Sequence, residues 1–121
     1  MTRPVRVVAE RRRRPAKPPL EEPEAHFQRE VVKLARAFGW RVYHPWLSVH
    51  SASGWPDLAM VRDGRFLVAE LKTETGRASR AQQLWLEDLA AAGVETHLWR
   101  PHDWPEIARV LTGAQVGASR G

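Results

Sequence analysis

The sequence contains no cysteine, so it forms neither a disulfide framework nor a thiolate metal site. That lack fits a reducing cytoplasm, the location expected. No apolar run approaches the ~20 residues of a membrane span, so no membrane partner is expected. The basic N-terminus also lacks the apolar stretch of a secretory signal, because Val5, Val7 and Val8 are its only large apolar residues before a run of arginines. No internal repeat is present. What remains is ordinary for one compact domain: 121 residues, 43% hydrophobic and 27% charged. The net charge of +5 is unevenly spread, since residues 1–22 hold seven Lys and Arg against three acids. Arg11 to Arg14 read either as a solvated tail or as an arm that neutralises phosphates.

Residues 1–22 are expected to be disordered, because Pro4, Pro15, Pro18 and Pro19 interrupt any helix and apolar residues are sparse. A globular domain is expected over 23–112, followed by a flexible Gly/Ala/Ser-rich end at 113–121. Phe27, Val31, Leu34, Ala35 and Phe38 recur at helical spacing and Gly39 closes the segment, which predicts a helix over 24–38. Trp40 to His44 reads as a short strand ended by Pro45, and 45–56 as a loop. Two apolar runs, 57–62 and 65–72, flank Asp63-Gly64, a strong hairpin signal. Ser79 caps a second helix to about Ala92, with Gln82, Trp85, Leu86 and Leu89 facing inward. Residues 94–99 form a last strand, and Asp103 caps a short helix to about Leu111. The order is α-β-β-β-α-β with a short C-terminal helix. Both faces of the hairpin are largely apolar, so an α/β fold with helices on each side of a central mixed sheet is expected.

The hairpin brings chemistry together. A two-residue turn pairs Arg62 with Arg65, and counting back five positions sets Asp57 opposite Glu70. Directly opposed residues have Cβ atoms ~5 Å apart and share a face, to which Lys72 also projects. Opposed like charges destabilise a sheet unless a cation lies between them. Mg²⁺ suits the pair, because it favours one or two carboxylates completed by waters and phosphate oxygens. Lys72 would then stabilise charge developing on the phosphate. A strand-end Glu-Lys pair on the surface is the bland alternative.

Gly54-Trp55-Pro56-Asp57 followed by Glu70-Leu71-Lys72 resembles the signature of the PD-(D/E)xK, or restriction-endonuclease-like, nuclease superfamily. Glu24 through Gln28 to Gly39-Trp40, Lys72-Thr73 with Gly76, and Ser79-x-x-Gln82-x-x-Trp85-Leu86 resemble its VRR-NUC branch. The likeness spans about residues 24–107. It implies Asp57, Glu70 and the Leu71 carbonyl as metal ligands, Lys72 as the catalytic lysine and Gln82 as a brace on the following helix. Glu24 matches the acid of the first helix and lies one turn before its buried stripe, with Glu30 as the competitor. The resemblance further implies Mg²⁺, with Mn²⁺ substituting, and a DNA endonuclease like the Holliday-junction resolvases, which favour branched DNA and act as homodimers. The rival readings are a nucleic-acid-binding module that does not cut and a nuclease acting on RNA.

His44, Arg77 and Arg80 flank this site and are candidates for nucleic-acid contact, with His50 and Lys33 behind them. Trp40, Trp85 and Trp99 are expected in the core. Trp46 and Trp55 border the serine-rich loop, as anchors or as wedges against a base.

Overall fold

The computed structural model describes residues 23–44 and 53–113. The tail expected at 1–22, the end at 114–121, and Pro45, Trp46 and His50 lie outside the described residues. Helix α1 spans Pro23–Ala37, followed by strands β1 (Arg41–Tyr43), β2 (Leu58–Arg62) and β3 (Arg65–Leu71). Helix α2 (Arg80–Ala91), strand β4 (Glu95–Trp99), a 3₁₀ turn (Pro101–Asp103) and helix α3 (Trp104–Thr112) complete the order. The four strands lie in the order β1-β2-β3-β4, antiparallel through β3 and parallel between β3 and β4. This is the mixed sheet that the pattern predicts.

The hairpin turn has Asp63 at φ 50° and Gly64 at φ 81°. Positive φ at both central residues is the turn whose twist matches paired strands. The register follows from it, running from Arg62 opposite Arg65 to Leu58 opposite Ala69. One face of the sheet carries Leu58, Met60, Leu67, Ala69, Leu71 and Trp99 against Phe27, Val31, Val32 and Ala35 of α1 and Ile107 and Leu111 of α3. Trp40 closes that layer by donating its indole N–H to the Leu111 carbonyl at 2.8 Å. Helix α2 packs against β4 on the other face, so both sides of the sheet meet a helix.

Three details depart from the sequence reading. Phe38 is 47% exposed, because α1 ends at Ala37 and the chain turns through Phe38 before the last helical turn can carry its ring inward. Trp85 is half-buried, since α2 buries none of its residues fully. Asp103 does not cap α3 through its side chain. Its carboxylate accepts instead from the Arg100 N–H at 2.8 Å, closing the 3₁₀ turn that precedes α3.

Candidate active site

Strand β2 begins at Leu58, and Asp57 stands immediately before it. Its side chain takes over from the ladder: Asp57 Oδ2 accepts from the Leu71 N–H at 2.8 Å. Continuing the β2–β3 register one step sets Asp57 opposite Glu70 as expected. The N–H and C=O of a strand residue point to the same side, so the Leu71 carbonyl is also on the side of Asp57.

Glu70 is 1% exposed, the only buried charged residue among those described. Its Oε2 accepts from Gln82 Nε2 at 2.8 Å and lies 3.4 Å from Lys72 Nζ. The orientation of the Gln82 amide has a cause. Its Oε1 accepts from the Ser79 N–H at 2.7 Å while the Gln82 N–H donates to Ser79 Oγ at 3.1 Å, a reciprocal cap of α2. With the oxygen so engaged, only the NH₂ group is left to meet Glu70. Glu70 Oε1 is buried with no well-formed hydrogen bond, and the groups that bear on the Glu70 carboxyl from the β2 side are the main chain and carboxyl of Asp57. An orphaned carboxylate oxygen beside a second carboxylate is the donor set a hard cation takes. Asp57, Glu70 and the Leu71 carbonyl therefore fit Mg²⁺ or Mn²⁺. Among the described residues no three Asp, Glu, His or Cys side chains form a complete cage, so a metal held here would draw further ligands from water or phosphate.

The electrostatics follow from burial. Desolvation first, and then the negative charge of Asp57, push the Glu70 carboxyl up to about 7, against the opposing pull of Lys72. Asp57 is also raised, chiefly by burial; the Leu71 N–H opposes the rise and the charge of Glu24 adds to it. Glu24, exposed on the first turn of α1, thus acts on Asp57 through space. Glu30 is half-buried further along the same helix.

The approach to Asp57 is held by contacts that sequence spacing does not reveal. Trp85 meets Trp55 edge-to-face at 4.9 Å and donates its indole N–H to the Ser53 carbonyl at 3.0 Å. Gly54 has φ +87°, and a Cβ there would lie 2.5 Å from the backbone carbon of Ala81. Pro56 is fully buried. The Gly-Trp-Pro-Asp run is therefore a fitted wedge between α2 and β2. Gly54→Ala is expected to destabilise the fold by roughly 1–3 kcal/mol, through strain and a backbone clash. Chemical denaturation measures this, and an unchanged midpoint would remove the wedge from the account.

Of the candidate nucleic-acid contacts, Arg77 and Arg80 are exposed, in the β3–α2 loop and the first turn of α2. His44 is half-buried, and one further step of the β1–β2 register sets it against Leu58, on the core face of the sheet rather than the face of Glu70 and Lys72. Lys33 is exposed on α1.

A family model described as the VRR-NUC domain matches residues 8–102. A solved structure described as a VRR_NUC domain protein superposes with a TM-score of 0.56 at 20% identity, over 72% of this chain and 83% of that one. At that identity the likeness speaks for the fold. No curated protein matches the chain.

Proposed function

Because this chain belongs to the VRR-NUC family of nuclease-type domains, we propose that it is a metal-dependent DNA endonuclease selective for branched structures such as Holliday junctions. The observation that carries the reading is Glu70, a buried carboxylate with one orphaned oxygen, opposed to Asp57 and touched by Lys72 and Gln82. Two opposed acids, one buried and one half-buried, are destabilising unless positive charge offsets them, and Lys72 reaches only Glu70 Oε2. A bound Mg²⁺, or Mn²⁺ in its place, would polarise a phosphoryl oxygen and lower the pKa of a bound water. The protein's own contribution is position and charge. Asp57 is pinned by the Leu71 N–H, Glu70 is oriented by Gln82, and the Lys72 ammonium faces the charge that develops on the phosphate. Glu24 supplies a further negative charge beside Asp57, and His44, Arg77 and Arg80 are the proposed contacts to the nucleic-acid backbone. A four-way junction needs two symmetric cuts, so the active form is proposed to be a homodimer.

The test uses labelled four-way junction, flap, duplex and single-stranded DNA and an RNA duplex, each with and without Mg²⁺. Wild type is expected to cut the junction best and only with metal, and light scattering to report the mass of two chains. Asp57→Ala and Lys72→Ala are expected to lose roughly 10²–10³-fold in rate. Equal cutting by either variant would sink the proposed site. A preference for RNA would replace the proposed substrate, and a monomer would replace the proposed assembly.

A further inference from the structure

The two partners of Glu70 come from opposite ends of one loop: Lys72 directly follows β3 and Gln82 lies in the first turn of α2. Whatever holds residues 73–79 sets the distance between them. The last rung joining β3 to β4 is the Lys72 N–H donated to the Trp99 carbonyl at 3.0 Å. The main chain of β4 offers no further donor. The Arg100 N–H is turned to Asp103 Oδ2 at 2.8 Å, and Pro101 has no N–H to give.

The Arg100 side chain continues where its backbone stops. Its Nη1 donates to the Thr73 carbonyl at 2.6 Å and to the Gly76 carbonyl at 2.7 Å, with the Glu74 carbonyl at 3.5 Å. The turn is tied again from within, as the Gly76 N–H donates to Thr73 Oγ1 at 3.0 Å. A second strut runs alongside, with His102 Nδ1 at 2.6 Å from Glu74 Oε1. From Gly76 only three residues remain to the Ser79 cap, which fixes the Gln82 amide.

We propose that Arg100 is a positioning residue of the nuclease site, holding the 73–76 turn so that Lys72 and Gln82 converge on Glu70. The inference rests on the nuclease reading above and names a residue that touches neither acid. A planar guanidinium suits this task, since one NH₂ group presents two hydrogens in a fixed fork to two carbonyls. Losing it leaves the fold's core untouched and frees the turn.

The experiment uses the full chain with Mg²⁺ and the DNA that wild type cuts. It compares wild type, Arg100→Gln, Lys72→Ala and the double variant. Arg100→Gln is expected to lower kcat about 10–100-fold, the order of loss that a small misplacement of a catalytic group causes. KM is expected to change by less than about twofold, since no substrate contact is removed. Amide exchange over 73–79 is expected to accelerate and the Gln82 side-chain amide resonances to shift. Adding Arg100→Gln to Lys72→Ala is expected to cost less than adding it to wild type, because part of the Arg100 effect passes through the same ammonium. Fully additive losses, a loss confined to KM, or an unchanged kcat would overturn the proposal. If Arg100→Gln does not fold, Arg100→Lys decides, a reduced kcat at constant KM supporting the inference and a wild-type kcat overturning it. If Lys72→Ala cuts as fast as wild type, the proposed site falls by itself. The Gln82 resonances then judge Arg100 separately, and their failure to move in Arg100→Gln overturns it.

Discussion

Glu70→Gln is expected to remove cleavage almost completely and, at pH 8 without metal, to make the protein more stable by roughly 3 kcal/mol. The loss of activity follows from removing a proposed metal ligand, and on the order of 10³-fold or more is expected. The gain in stability follows from linkage. The carboxyl is raised in the folded state to about 7 from an ordinary value of 4.5, because burial and Asp57 disfavour its charge. Below the unfolded value both states hold the proton and nothing is lost. As pH rises between the two values, the unfolded chain releases its proton while the folded chain keeps it, so wild-type stability falls. Above about 7 both states are ionised and the penalty is complete. Glutamine keeps the shape and an acceptor for Gln82, yet carries no charge. Denaturant unfolding at pH 5 and pH 8 checks this, the gain being small at the lower pH and large at the higher. A variant less stable than wild type at pH 8 would mean that the Lys72 pairing outweighs desolvation.

Metal affinity is expected to climb by up to about 100-fold between pH 5 and pH 8, about half of that factor being reached at pH 7, and then to level off. A cation requires the ionised carboxylate, and a group that titrates near 7 is about one-hundredth ionised two pH units lower. Binding at pH 6 therefore releases close to one proton from Glu70, with a smaller share from Asp57, whose pKa is raised for the same reason. Calorimetric titration of Mg²⁺ in two buffers of different ionisation enthalpy counts that proton directly. Mg²⁺ is also expected to restore, above pH 7, the stability that ionised Glu70 costs, and a thermal midpoint indifferent to Mg²⁺ at pH 8 would exclude binding at this site. Burial and Asp57 thus set the charged form of Glu70 against the metal-free fold.

Part of this arrangement is legible in the amino-acid sequence. Asp63-Gly64 requires a tight turn, a tight turn dictates the register, and the period of two along a strand then places Asp57, Glu70 and Lys72 on one face. Each of these steps is local, acting over fifteen residues or fewer. Ser79 is legible for the same reason, since an N-cap is a property of one helical turn. Gln82 is named as a brace only by resemblance, and its reciprocal cap with Ser79 comes from the structure.

The rest depended on contacts between distant segments, where local spacing carries no signal. Trp85 reads as a core residue by helical periodicity, but α2 lies over the edge of the sheet, and the ring serves the Ser53–Trp55 approach instead. Phe38 keeps the phase of the α1 stripe, yet the helix stops one residue before it. Arg100 stands 27 residues from the carbonyl it binds most closely, just past a strand whose parallel register with β3 is set only by the length and packing of the α2 crossover. The sequence alone therefore determined which groups share the hairpin face, because turn geometry and strand period are short-range. Only the tertiary structure decided that Glu70 is sealed from water with one oxygen unsatisfied, and that Arg100 reaches across to hold the loop, because burial and crossover register arise from packing of the whole chain.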